Sequence, residues 1–192
     1  VYEKIYGKGD QMTGIKRKLF LWALSLTDDY EYDVKPSGIN AIKWKIADKL
    51  IFTKWREALG NNVKGILTGS APCPTKIIRV FSAAGIPVRE AYGLTEASPG
   101  ISFNKFSPHK AIIGTVGPLL PQVEVRIDNS ENLFKEGEGE ILAAGENIMQ
   151  GYYKQPGWTA ETLKTIDGKV WLCTGDVGTF VTGKDGTQFL KI

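Results

Sequence analysis

Residues 63–91 constrain the fold more than any other stretch. Val63-Lys64-Gly65-Ile66-Leu67 predicts a buried strand, and Ile86-Pro87-Val88-Arg89-Glu90-Ala91 predicts another. Between them Pro74 suits a first helical position, and Gly85 suits the residue just past a helix. Strand, short helix, strand in so few residues is a crossover unit, which predicts parallel strands. The fold class expected is therefore α/β, a parallel sheet with flanking helices. Ligands of such sheets gather beyond the carboxyl ends of the strands, and two segments of this chain fall there. Thr68-Gly69-Ser70-Ala71-Pro72 offers small residues that let backbone approach a planar ligand, and it equally suits a tight strand-to-helix turn. Tyr92-Gly93-Leu94-Thr95-Glu96 offers an aromatic face, a hydroxyl and a carboxylate within five positions. A base can stack on the ring, and the carboxylate can hold a Mg²⁺ that bridges phosphates.

Upstream, residues 10–27 predict a helix with one apolar face, and Tyr30 to Ser37 a polar connection. A second helix is expected from Ser37 to Leu59, ended by Gly60. Its apolar positions Ile42, Ile46, Leu50, Ile51, Trp55 and Leu59 recur at three- and four-residue spacing. Lys43, Lys45, Lys49, Lys54 and Arg56 mark its other face. Such a basic helix can lie on a membrane surface, or its lysines can simply solvate an outer face. Trp44, Trp55 and Phe81 suit core packing, with the border of an acyl tunnel as the alternative. After His109 the pattern changes to short alternating segments, as in Val123, Val125 and Ile127. Strands are expected at Gly139–Ala144, Val170–Cys173, Gly178–Thr182 and Thr187–Ile192, with Lys184-Asp185-Gly186 as a hairpin turn. One helix interrupts them around Trp158–Lys164. The organisation predicted is an α/β subdomain over residues 1–109 and a small distorted antiparallel β-barrel over 110–192.

Composition excludes several function classes. A formal net charge of +3 with no basic block interleaved with aromatics argues against a nucleic-acid surface. Cys73 and Cys173 make neither a disulfide framework nor a metal-binding pair, and suit a reducing cytoplasm. His109 is the one histidine, which excludes histidine-rich metal sites and disfavours a serine–histidine–aspartate triad. No run approaches the ~18 apolar residues of a membrane span. Leu19–Leu24 follows Lys16-Arg17-Lys18 as in a signal peptide, but Thr27-Asp28-Asp29 stands where a cleavage site is needed. Gly9 and Gly14 have Walker-like spacing, yet Ile15 occupies the lysine position. A start at Val1 and a stop inside an expected strand at Ile192 suggest a longer polypeptide.

Glu90-Ala91-Tyr92-Gly93-Leu94-Thr95-Glu96 closely resembles the YGxTE motif of the adenylate-forming enzymes. Three more segments match that family in order: Gly69-Ser70-Ala71-Pro72 its glycine-rich turn, Gly139-Glu140-Ile141 through Gly145 to Gly151-Tyr152-Tyr153 its GEL…G…GY stretch, and Thr174-Gly175-Asp176 its TGD motif. The likeness runs from Val63 to the end. Val1–Tyr6 and the two helices resemble the long-chain fatty acyl-CoA synthetase branch. The resemblance implies the second half of the large N-terminal domain of such an enzyme, followed by its barrel. It implies that Tyr92 and Gly93 face adenine, with Ser70, Ala71, Pro72, Glu90 and Ala91 along its edge. Thr95 would reach the α-phosphate, Glu96 would bind Mg²⁺, and Asp176 would accept hydrogen bonds from the ribose hydroxyls. Thr95 and Glu96 would be the catalytic pair. Glu140 and Tyr152 are read as structural. The implied reaction joins a fatty acid to ATP as acyl-AMP and then to coenzyme A. Aryl-CoA ligases, fatty acyl-AMP ligases, peptide synthetase adenylation domains and a non-catalytic scaffold on this fold remain as alternatives. The family's phosphate loop and its lysine-bearing C-terminal domain have no counterpart here, so the 192 residues alone are expected to be inactive.

Overall fold

The computed structural model describes residues 6, 7, 9 and 11–192. Val1–Ile5 and a helix start at residue 10 lie outside the described residues. The described chain forms two compact units, one of residues up to Leu67 with Cys73–Arg89, the other of Thr68–Pro72 with Glu90–Ile192.

The first unit holds helix α1 (Gly14–Ser25), helix α2 (Gly38–Ala47), a π turn at Asp48–Phe52, helix α3 (Thr53–Ala58), and helix α4 (Thr75–Ala83). Its core is aromatic. Phe20 meets Trp55 edge-on at 6.1 Å, Trp55 meets Phe52 at 5.3 Å, Phe52 meets Trp44 at 6.0 Å, and Trp44 meets Tyr30 at 6.2 Å. Arg56 ties this core to the end of α4, donating to Asp48 at 2.7 Å and to the carbonyl of Ala84 at 2.6 Å. The expected second helix is present but not straight in register. Its π turn inserts an extra residue per turn, so the apolar stripe of the first half does not continue onto the second. Ala47, Phe52 and Trp55 are buried, while Ile42, Ile46 and Leu50 are exposed. Those three share the helical spacing of the apolar positions without being in the core.

Strands β1 (Ile66–Thr68), β2 (Val88–Gly93) and β3 (Gly100–Phe103) make one sheet in that order. The predicted strand–helix–strand unit is present, with α4 between neighbouring strands. Two features depart from expectation. β1 lies at the sheet edge, so Ile66 and Leu67 are exposed rather than buried. β2 and β3 pair antiparallel, so the sheet is not purely parallel.

The second unit is mostly antiparallel sheet, built from β4 (Glu124–Asp128), β5 (Gly139–Ala144), β6 (Leu163–Ile166), β7 (Lys169–Thr182) and β8 (Gln188–Lys191). The order is β4-β5-β7-β6, with β8 on the far half of β7. The period-two segments are strands as expected, and their inward residues Val123, Ile141, Ala143, Leu172 and Leu190 pack with Ala97 and Ile101 in one core. Among the described residues the sheet does not close into the predicted barrel. β6 and β4 remain unpaired with each other, and β7 is bulged at its middle, where the extra residues bend the strand and strengthen its twist. β7 is accordingly one strand, where two were expected. The short helix α5 (Pro156–Thr162) begins earlier than predicted, since Pro156 fits its first turn. Lys164, assigned to that helix, belongs to β6 opposite Trp171. The hairpin at Lys184-Asp185-Gly186 forms as expected. Gly183 donates to Thr187 at 2.8 Å, and Asp185 accepts from the Thr187 amide at 3.0 Å.

Candidate functional site

Tyr92 sits near the end of β2 opposite Ser102, and the register breaks between Tyr92 and Gly93. A Cβ on Gly93 would stand 1.8 Å from the carbonyl oxygen of Pro99, so no other residue fits that position. The chain then closes a tight loop. Leu94 is extended, Thr95–Ala97 form a single 3₁₀ turn, and Ser98 takes a left-handed φ of 51°. Two outside groups hold this loop. The Asn147 amide donates to the carbonyls of Ala97 and Gly100, each at 2.8 Å, and the Met149 amide donates to the carbonyl of Glu96 at 2.8 Å. Ala97 is fully buried beneath it.

Thr174-Gly175-Asp176 forms the bulge of β7. Leu142 pairs with Cys173 and Glu140 with Val177, so one residue of β5 faces three of β7. Gly175 has a φ of 73°, a left-handed conformation that glycine adopts without strain. Side chains fix the bulge. The Thr174 hydroxyl donates to the carbonyl of Ile141 at 2.8 Å and accepts from the Asp176 amide at 3.1 Å. The Gly175 amide donates to the Glu140 carboxylate at 3.0 Å. Asp176, so placed, accepts a hydrogen bond from the Tyr92 hydroxyl at 2.7 Å. An aromatic ring and a carboxylate 84 positions apart in sequence are thereby in direct contact. Burial raises the Tyr92 pKa well above the ordinary tyrosine range; Thr174 acts against this and the bond to Asp176 adds to it.

Glu96 lies half-buried in the 3₁₀ turn. The Tyr152 hydroxyl donates to its Oε1 at 2.7 Å, and that bond is the main cause of a raised Tyr152 pKa. Tyr152, read as structural from the sequence, is thereby hydrogen-bonded to Glu96. The GY stretch that marks Tyr152 was visible in the sequence; its partner was not. Thr95 is exposed, and its carbonyl accepts from the Ser98 amide at 3.2 Å.

Ser70, Ala71 and Pro72 are exposed, with Ser70 at a left-handed φ of 65°. The turn they form runs beside β2, since a Cβ on Gly69 would lie 3.1 Å from the carbonyl oxygen of Ala91. The carbonyl of Glu90 accepts from the Asn104 amide at 2.9 Å and so serves the sheet. An open groove of about 630 Å³ runs along Gln150–Pro156, Thr159, Ala160 and Leu163, bordering Tyr152 rather than Tyr92 or Asp176.

The donor set bears on which groups could be held here. Among the described residues no three histidines, cysteines or carboxylates cluster as a metal cage. A single carboxylate such as Glu96 suits instead a cation shared with phosphate oxygens and water, which is the usual manner of Mg²⁺. Asp176 is an acceptor-only group suited to a diol, beside a ring suited to a planar base.

A profile of the family described as AMP-binding enzyme matches residues 29–153. Long chain acyl-CoA synthetase 3 of Arabidopsis thaliana is 40% identical over 190 residues, covering 93% of this chain and 27% of the relative. Long-chain-fatty-acid--CoA ligase 6 of Rattus norvegicus is 36% identical over 184 residues, covering 93% and 24%. The chain thus spans about a quarter of the length of these curated relatives. Among solved structures, apo MatB of Rhodopseudomonas palustris superimposes with a TM-score of 0.53 at 30% identity, covering 65% of this chain and 24% of that one. The amide bond synthetase McbA of Marinactinospora thermotolerans does so with a TM-score of 0.53 at 30% identity, covering 67% and 26%.

Proposed function

Because the chain belongs to the AMP-binding enzyme family, we propose that it holds the nucleotide in the ATP-dependent activation of a fatty acid and its transfer to coenzyme A. A carboxylate oxygen of the acid attacks the α-phosphorus of ATP, the bond to the β-phosphate breaks, and pyrophosphate leaves. The thiol of coenzyme A then attacks the acyl carbon, and AMP leaves as the thioester forms. Tyr92 stacks on adenine, with Gly93 and the backbone of Ser70, Ala71, Pro72, Glu90 and Ala91 beside it. Asp176 receives the ribose hydroxyls. Thr95 meets the α-phosphate, and Glu96 is the protein ligand of Mg²⁺. When bound, the cation offsets charge on the phosphates. The work of the chain is positioning, which suits phosphoryl-type chemistry.

The contact between Tyr92 and Asp176 carries this reading. A stacking ring beside a diol-accepting carboxylate is what a nucleoside needs. The fatty-acid assignment rests on relatives described as long-chain synthetases at 35% and 40% identity. The chain spans about a quarter of them, so the two-step reaction is proposed for the protein as a whole and nucleotide holding for these residues, which are not expected to turn over alone. Two cysteines a hundred positions apart form no disulfide framework in the sequence, and a reducing compartment such as the cytoplasm belongs to this reading. The lysines of α2 leave contact with a membrane surface within this reading. Among the described residues no helix is long and apolar enough to cross a membrane.

A second reading, adenylation followed by a different acceptor, draws on the likeness to the amide bond synthetase McbA at 30% identity. ATP–pyrophosphate exchange by the full-length protein over aliphatic and aromatic acids, with and without coenzyme A, decides between them. Exchange with long-chain acids and thioester formation are expected. Exchange with aryl acids only, or product without coenzyme A, favours the second reading. Exchange with none of these acids favours a non-catalytic scaffold, and ATP use unchanged by Glu96→Ala removes Glu96 from the reaction.

A further inference from the structure

We propose that Tyr152 is a positioning residue for Glu96: its hydroxyl holds Oε1 of that carboxylate, leaving the second oxygen for a metal–nucleotide complex. The inference rests on the reading of Glu96 as the protein ligand of Mg²⁺.

The hydroxyl donates to Oε1 at 2.7 Å. Tyr152 is itself held on two sides. Its amide donates to the Thr159 hydroxyl at 2.9 Å, and that hydroxyl donates to the carbonyl of Gln155 at 2.9 Å. Its ring meets Trp158 edge-on, with centroids 6.4 Å apart and planes at 89°. The first turn of α5 thus fixes both the backbone and the ring of Tyr152. Three residues earlier, the Met149 amide donates to the carbonyl of Glu96 at 2.8 Å. One short stretch, residues 149–152, therefore grips Glu96 at its main chain and at its side chain. A carboxylate accepts at two oxygens and donates at neither when ionised. A fixed donor on one oxygen selects a single rotamer and leaves one oxygen for a cation, which favours one-oxygen over two-oxygen ligation. Small hard cations with strict octahedral geometry suit such an arrangement.

The test is Mn²⁺ binding followed by electron paramagnetic resonance, with a non-hydrolysable ATP analogue, on the full-length protein. Affinity for the same analogue in EDTA is measured alongside. Tyr152→Phe keeps the ring and its contact with Trp158 and removes only the hydroxyl. It is expected to weaken Mn²⁺–nucleotide binding by about 10-fold, the scale of one hydrogen bond to a charged group. Metal-free nucleotide affinity is expected to stay unchanged, and Glu96→Ala to abolish the metal dependence. Equal weakening with and without metal overturns the inference, since a merely structural tyrosine acts on both. Loss in Glu96→Ala with no change in Tyr152→Phe overturns it alone. Unchanged Mn²⁺ binding in Glu96→Ala, or none in the unsubstituted chain, overturns the metal-ligand reading of Glu96 and this inference with it.

Discussion

Burial and the bond to Asp176 both keep the Tyr92 hydroxyl protonated beyond the ordinary tyrosine range. It stays a donor to Asp176 across neutral and mildly alkaline pH, and Asp176 stays an acceptor for other donors as well. The ring and the carboxylate then separate by substitution. Tyr92→Phe retains the stacking face and should change nucleotide affinity less than about threefold, under one hydrogen bond's worth. Asp176→Ala removes the proposed acceptor for the two ribose hydroxyls and should cost about 10- to 100-fold. Calorimetric titration with AMP measures both, and the reverse order would refute the division of roles. Asn147 makes a different prediction. Its amide closes the loop that carries Thr95 and Glu96, donating twice at 2.8 Å. Asn147→Ala leaves two carbonyls short of a donor and should lower stability by about 1–3 kcal/mol, seen in urea unfolding. At this scale the sequence was informative about residue types and silent about partners. Tyr92, Glu96 and Asp176 stand out by motif, whereas the Tyr152–Glu96 and Glu140–Gly175 bonds span 56 and 35 positions and follow from no local pattern.

Elements were legible where a local signal decides them and illegible where a single inserted residue does. Pro74 and Gly85 bracket α4 as read, and alternation marks β4 and β5. The helix from Gly38 to Ala58 shows the contrary case. Its three- and four-residue spacing is real, but the π turn at Asp48–Phe52 turns the second half relative to the first, and no composition rule announces such a turn. Phe52→Ala, at a fully buried ring, should cost about 3–5 kcal/mol. Ile42→Gln, on the exposed stripe, should stay within about 0.5 kcal/mol. Equal costs in thermal unfolding would restore the straight-helix reading. The β7–β8 hairpin responds to acid. Hydrogen bonds from Lys110 and from Thr187 hold the Asp185 carboxyl below the usual carboxylate range. A group whose folded pKa is depressed adds stability above its unfolded value, near 4, and loses it as pH falls toward the folded one. Melting temperature followed from pH 7 to pH 2 should therefore fall more in the parent than in Asp185→Asn, with the difference confined to below about pH 4. Parallel curves would dismiss the tie.

For the whole chain, motif order identified the family, while closure of the second sheet could not be read. Alternation reports which face of a strand is buried, not whether the last strand returns to the first. β7 departs from a regular ladder in three residues that also carry the acidic group. Between Cys173 and Val177 the bulge holds two residues more than the facing strand. Two is an even number, so inward and outward positions keep their phase on either side of it. Excising a pair of residues should therefore return β7 to an ordinary ladder with its hydrophobic face intact. Excising one should turn every later side chain inside out. Length changes at this point should thus be tolerated in steps of two, and the paired deletion offers a folded protein without the bulge that carries Asp176.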